Sequence, residues 1–314
     1  SVPSVLLSWS SPRKPEATNG KDSVNMPKTY NDIYFTVRTK LRESGVEAYG
    51  LEARTLLAAA AGKTTEELLR DLYLYTSKEI EDKAEEMLER RLKGEPLAYI
   101  AGSWEFYGLP FTVTPDVLIP RMDTEVLVAC AVRAIKAFGM KGRVLDLCCG
   151  SGCIACAVAS ELPAARVVAA DISLPALDIA RKNIKDNKLA SRIITIHADA
   201  KTWPPMSIGT FDVIASNPPY IASEEILTLD CSVRDHEPLG ALDGGEDGLD
   251  FYRAIIKYWT ITLRPNGMMM FEVGEGQADA VKKMLLDAGY VAVQTVKDTL
   301  GIERVVIGKW KNEF

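Results

Sequence analysis

Apolar residues recur every three or four positions through 29–92, in the runs IYFTVRTKLRESG, LEARTLLAAAAG, TTEELLRDLYLY and SKEIEDKAEEMLERRLKG. That period predicts helices that pack by one face. Thr64 and Ser77 stand at N-cap positions ahead of runs opened by Glu67 and Ile80, while Gly45, Gly62 and Gly94 sit where helices should stop. A small helical domain is expected over 26–94. Ahead of it, residues 1–25 are rich in Ser, Pro and Lys without any period and read as a flexible tail, with Met26 as a candidate functional start. The apolar patch at 5–9 is too short for a signal sequence and lacks a basic segment before it.

The pattern changes at 95. The stretch EPLAYIAGSWEFYGLPFTVTPDVLIPRMDTE is aromatic and β-branched, with Gly and Pro as punctuation, so 95–123 is expected to be a structured linker built on a β-hairpin. A helix over 124–138 then leads into alternating strand and helix runs: GRVLDLCC, GCIACAVASEL, ARVVAADI, LPALDIARKNIKDN, RIITIHAD and FDVIASNPPY. Apolar strands separated by helices of that length predict parallel β/α/β units with right-handed crossovers. The end differs. After MMMFEVG and a helix over 277–288, VAVQTVKDTLGIERVVIGKW holds two strands with only a short turn between them, which must pair antiparallel. The class predicted for 124–314 is therefore α/β, a Rossmann-like doubly wound sheet ending in an antiparallel hairpin.

Composition narrows what such a fold can do. The 314 residues are 47% hydrophobic and 25% charged, and 37 Lys and Arg against 43 Asp and Glu leave a net charge of -6. An acidic chain is poorly suited to gripping long stretches of nucleic acid, so no stable direct nucleic-acid binding is expected. No apolar run approaches the roughly 20 residues that cross a bilayer, and no membrane association is expected. The six cysteines include the cluster Cys148, Cys149, Cys153 and Cys156, unlike the even scatter of a secreted disulfide framework, which favours a cytoplasmic location. That cluster contains a Cys-x-x-Cys spacing but lacks the paired spacing of a zinc ribbon, so no metal is expected. His197 falls at a strand end, and His236, beside Glu237, has no triad or metal partner at a diagnostic spacing.

The candidate chemistry begins where Val144-Leu145-Asp146 ends a buried strand and Gly150-Ser151-Gly152 opens a helix. Backbone can approach a ligand there without a Cβ in the way. Gly150, Gly152 and Ala155 also satisfy the dinucleotide-binding spacing, and a turn without a ligand would look the same. Asp171, roughly twenty residues beyond Gly152 at the end of the second strand, can accept both hydroxyls of a ribose. Asp146 stands before the loop, where its charge opposes a pyrophosphate but suits the cationic end of S-adenosylmethionine; alternatively it only caps the loop.

Asn217-Pro218-Pro219-Tyr220 closes the fourth strand of the α/β part, at the carboxyl edge where ligands of doubly wound sheets collect. An amide or exocyclic amine is a poor nucleophile because its lone pair is delocalised. An enzyme that methylates one must orient the NH2 group, and the Asn217 side-chain oxygen with the Pro218 carbonyl can accept its two hydrogens. The prolines fix the backbone, and Tyr220 offers a flat face to a planar group. Two prolines after Asn could otherwise form a rigid turn alone.

On these residues the chain resembles the HemK/PrmC family, glutamine N5-methyltransferases of peptide chain release factors. The resemblance runs over 29–309 and rests on the hairpin stretch 94–125, DLCCGSG at 146–152, NPPY, and EPLGALDGGEDGLDFYR at 237–253. It implies a small helical domain that docks the release factor, joined to a class I S-adenosylmethionine-dependent methyltransferase domain. It further implies cofactor contacts from Asp146, Cys148, Cys149, Gly150, Ser151, Gly152, Asp171, Asp199, Ala200 and Asn217, with Asn217, Pro218, Pro219 and Tyr220 forming the catalytic glutamine pocket. Arg121 and Glu125 belong to a PRxDTE-like signature beside the active site, or else form an ion pair between hairpin and helix. Two positions depart from the family pattern. Ala200 follows Asp199 where the family carries an aromatic, with Trp203 three further on, and Cys148-Cys149 replace the usual Gly and Thr. A positive φ at Cys148 would cost about 1 kcal/mol. The competing function is an exocyclic-amine N-methyltransferase of DNA or RNA, which faces the same geometric problem. A third is a catalytically idle cofactor binder that only docks a translation partner, for which an intact NPPY has no purpose.

Overall fold

The computed structural model describes residues 27–311, and the expected tail at 1–25 and the candidate start Met26 lie outside the described residues. Four helices come first: α1 (Tyr30–Glu43), α2 (Tyr49–Ala61), α3 (Thr65–Arg70) and α4 (Lys78–Leu92). Their starts follow local chemistry. Thr29 and Thr64 each accept from the backbone three residues on, and Asp32 and Glu67 return the bond, so α1 and α3 begin in capping boxes. Ser77 caps α4 by accepting from the Ile80 backbone. Ile33, Val37 and Leu41 form one face of α1 and join Leu56, Leu57, Leu68, Met87 and Leu88 in a core of their own.

The linker holds an element that the aromatic pattern conceals. A short helix, α5 (Leu97–Ala101), precedes the hairpin of β1 (Ser103–Phe106) and β2 (Leu109–Thr112). Five residues are too few for a helical period to stand out, and Pro96 at the N-cap is what starts the turn. Ile100 of α5 belongs to the helical core, whereas its neighbours Ala98 and Tyr99 belong to the α/β core. The hairpin turns on Tyr107-Gly108, both at positive φ, as the twist of a two-residue loop requires.

The remaining helices are α6 (Thr124–Ala137), α7 (Cys153–Glu161), α8 (Leu174–Asp186), α9 (Cys231–Arg234), α10 (Asp250–Trp259) and α11 (Ala278–Asp287). The strands are β3 (Arg143–Leu147), β4 (Arg166–Asp171), β5 (Ile193–His197), β6 (Phe211–Ser216), β7 (Leu263–Glu272), β8 (Tyr290–Lys297) and β9 (Glu303–Trp310). They form one sheet in the order β5-β4-β3-β6-β7-β9-β8, parallel from β5 to β7, with β9 antiparallel to both β7 and β8. Alternation divides the side chains. Val144, Val213, Ala215, Met268 and Met270 face the core with α6 and α7, and Leu145, Leu147, Ile214, Met269 and Phe271 face the core with α10 and α11. The strand order reverses between β3 and β6, so a crevice must open at their carboxyl ends.

Candidate active site

A cavity of about 720 Å³ opens at that crevice, within the range of small-molecule sites. Cys148, Cys149, Gly150, Ser151, Asp171, Asp199, Ala200, Asn217 and Pro219 stand on its wall. Asp146, Gly152, Pro218 and Tyr220 do not. Asp146 is fully buried behind the loop, where its Oδ2 accepts from the Ala155 backbone at 2.9 Å and its Oδ1 has no partner. Strand alternation sets this, since Asp146 shares the α7 face with Val144. Burial pushes its carboxyl up to about 7.

Three N–H groups of the loop between β3 and α7 are taken up inside the protein. The Gly150 N–H donates to Asp171 Oδ2 at 2.8 Å, and those of Cys149 and Gly152 go to backbone carbonyls. Gly150 has a φ of 50° and nothing within 4 Å of where a Cβ would stand, so the backbone itself forms the wall. Cys148 does adopt a φ of 64°, and its thiol lines the cavity. Burial, then the Asp171 charge, holds that thiol well above the usual range, so it is protonated and inert. Asp171 Oδ1 accepts from the Ser173 backbone at 2.9 Å, which fixes the carboxylate at the strand end. Asn183 in α8, buried, donates to the carbonyls of Ser151 and Thr112, both at 3.0 Å, and so ties the loop to the hairpin. An Asn in an amphipathic helix reads as a surface residue, and sequence reasoning missed it.

Two points that the sequence left open are placed by the structure. Arg121 and Glu125 do not pair. Arg121, on the cavity wall, instead binds Glu237, whose side chain is 1% exposed, and Glu125 accepts from the Tyr107 backbone at 2.9 Å. Glu237 also accepts from the Ile119 backbone at 3.3 Å, so it clasps the stretch after the hairpin to the segment before α10. Trp203 is 62% exposed and packs edge-on against Tyr258, away from the cavity; the aromatic on the wall is Phe251, with the Lys201 ammonium 4.4 Å from its ring centre. His197 Nε2 lies 2.9 Å from the Ile172 carbonyl at the end of β5.

Asn217 follows β6, and its Nδ2 donates to Thr124 Oγ1 at 3.2 Å. Thr124 opens α6 and is buried, as is Glu272 at the end of β7. Tyr220 lies against Gly274, and its carbonyl accepts from Gln277 Nε2 at 2.8 Å.

These residues fit S-adenosylmethionine. The wall carries the carboxylates Asp116, Asp171, Asp199 and Asp243 against the cations Arg121 and Lys201, an excess that suits a sulfonium and opposes a pyrophosphate. Asp171 stands at the carboxyl end of β4 on this wall, where it would take a ribose, and Ala200, Ile172 and Phe251 give the wall apolar surface. Fold and cavity define a class I S-adenosylmethionine-dependent methyltransferase. The chain is 42% identical over 287 residues to a release factor glutamine methyltransferase of Geobacter sulfurreducens, covering 90% of this chain and 96% of that one, and 38% identical over 283 residues to one of Caulobacter vibrioides, covering 90% and 97%. It belongs to the release factor glutamine methyltransferase family. Family models agree: the PrmC N-terminal domain matches residues 36–102 and the Methyltransferase small domain residues 122–230. The catalytic domain of hMettl16, solved with a MAT2A 3'UTR hairpin, is similar in fold, with a TM-score of 0.54 at 17% identity over 66% of this chain and 77% of that one. Among the described residues no helix is long and apolar enough to cross a membrane.

Proposed function

We propose that the protein methylates the side-chain amide nitrogen of the glutamine in the Gly-Gly-Gln motif of a peptide chain release factor. The observation that carries this reading is that Asn217 and Pro219 share one cavity wall with Asp171 and the 148–151 loop, so an amide held by the first pair meets a cofactor held by the second. S-adenosylmethionine supplies an electrophilic methyl group. The chain supplies orientation. With Nδ2 of Asn217 given to Thr124, its Oδ1 is the end left to accept a hydrogen from the glutamine NH2. The thiols of Cys148 and Cys149 are held protonated by burial, so neither competes for the methyl group. No side chain is needed as a base, because the amide nitrogen becomes acidic only once it is alkylated.

The helical part over 26–94 docks the release factor. It carries exposed apolar side chains, among them Tyr73 and Leu74, and none of the cavity wall. A net charge of -6 favours a protein over a nucleic acid as substrate. The thiols, all free, suit the reducing cytoplasm. The test is incubation with methyl-labelled S-adenosylmethionine and a purified release factor, with an adenine- and cytosine-containing oligonucleotide in parallel, followed by mass mapping. Label on the Gly-Gly-Gln glutamine is the expected result; label on the oligonucleotide alone would transfer the chain to the exocyclic-amine reading.

A further inference from the structure

Glu272 is an acid in an expensive place. It ends β7 at 2% exposure, its Oε2 is buried without a hydrogen-bond partner, and the guanidinium that acts on it, that of Arg304, is already bound to Asp123 and Asp298. A glutamine would fill the same space without the burden of a buried charge. Its neighbours suggest what the charge is for. Ser216 of β6 pairs with Phe271 of β7, so the next residues in register are Asn217 and Glu272, and alternation sends both toward the α6 face. Thr124, the first residue of α6, lies there too. Asn217 Nδ2 donates to Thr124 Oγ1, which leaves the Thr124 proton free to point onward, and both side chains act on Glu272 to favour its charged form.

We infer that ionised Glu272 is a positioning residue that holds the Asn217 amide in one of its two flip states. An ionised carboxylate can only accept. It draws the Thr124 hydroxyl and the Asn217 NH2 toward itself, and so leaves Oδ1 of Asn217 facing the cavity. A protonated Glu272 can donate, which permits the relay to reverse and turns the Asn217 NH2 toward the substrate NH2, donor against donor. This rests on the proposed function, in which Oδ1 is the end that receives the glutamine amide.

The groups around Glu272 determine when it ionises. Burial pushes its carboxyl up, as does the Asp123 charge before α6, while Thr124, Arg304 of β9 and Asn217 pull it down. Tyr220, Tyr252 of α10 and Cys153 of α7 face it as neutral groups, each held protonated by burial. The balance leaves it at about 7.

The experiment compares wild type with Glu272→Gln and Thr124→Val. Single-turnover methylation of a purified release factor is followed from pH 6 to 9 at saturating cofactor, which removes the influence of Asp146 on cofactor affinity. Wild-type turnover should fall as pH drops through about 7. Glu272→Gln should turn over roughly tenfold or more slowly at pH 8, without that acid limb, while cofactor affinity and the KM for the release factor stay within about threefold. Thr124→Val, which cuts the relay, should also lose turnover without losing affinity. A second readout needs no methyl acceptor. Because the buried charge opposes folding, Glu272→Gln should gain in Tm over wild type above pH 7, with a much smaller gain at pH 5 and none below about 4. A wild-type turnover that is flat from pH 6 to 8, a Glu272→Gln variant as fast as wild type, or a variant less stable than wild type at pH 8 overturns the inference. If wild type methylates no glutamine at any pH, the substrate reading falls and takes this inference with it; an intact Tm pattern identifies that failure as one of substrate.

Discussion

In the proposed reaction Asn217 contributes through one oxygen atom offered to the substrate amide, so its truncation should be felt in rate far more than in binding. Asn217→Ala is expected to slow single-turnover methylation by about a hundredfold or more, with a smaller loss of cofactor affinity, as read by calorimetry. Near-normal turnover would leave Asn217 as a turn residue only. Asp146 has the opposite signature, because it acts through stability. Burial raises its carboxyl from 3.8 to about 7 in the folded chain, so the folded state binds the proton more tightly than the unfolded one. Its contribution is complete below the unfolded value near 4 and is lost as pH rises through about 7. The melting temperature should therefore decline from pH 5 to 8, and Asp146→Asn, which keeps an oxygen for the Ala155 N–H, should flatten that decline by several degrees on the order expected for a chain of this size. A decline of the same depth in the variant would assign it elsewhere.

Among elements, the clasp made by Glu237 decides how the cavity is walled. It joins the stretch before α6, through Arg121 and the Ile119 backbone, to the segment that runs from α9 to α10. Glu237→Ala leaves a buried N–H and a cation without their acceptor, at a cost of about 1 to 3 kcal/mol. It is expected to raise KM for both cofactor and release factor while Asn217 keeps its hydrogen bond to Thr124; an unchanged KM for both would mean that the clasp serves folding alone. This contact also marks where the sequence stops being informative. Helices α1 to α4 were legible from period and caps, and the parallel sheet from strands spaced by helices, because those signals are local. The positive φ of Cys148 was legible because a side chain stands where the turn calls for glycine. Arg121 with Glu237, Asn183 with Ser151, and Glu272 with Asn217 join residues that only the fold brings together, and no spacing along the chain could have paired them. Nor could it place Trp203, since an aromatic four residues past an acid points wherever the turn between them sends it.

The described residues form three hydrophobic cores, one in the helical part and one on each face of the sheet, and the proposed division of labour gives docking to the first and chemistry to the other two. Tyr73, 80% exposed, and Leu74, 58% exposed, lie far along the sequence from every residue of the cavity wall. Replacing both with Ala should raise the apparent KM for an intact release factor several-fold and leave cofactor affinity and the melting temperature nearly unchanged, since exposed apolar contacts are worth roughly 1 kcal/mol or more each only when a partner covers them. An unaltered KM would remove this face from docking. The helical core and the core on the α6 and α7 face meet in α5, where Ile100 is anchored in the first and Ala98 and Tyr99 in the second. That arrangement works like a keyed shaft. A helix advances about 100° per residue, so the identity of the side chain that enters each core fixes the bearing of one body relative to the other. One alanine inserted after Tyr99 should leave both bodies folded and the cofactor bound, yet deliver the glutamine to the wrong side of the crevice, and a second insertion would not restore it until nearly a full turn had been added. The reach of the enzyme toward its substrate is thus an angle set by five residues rather than a length.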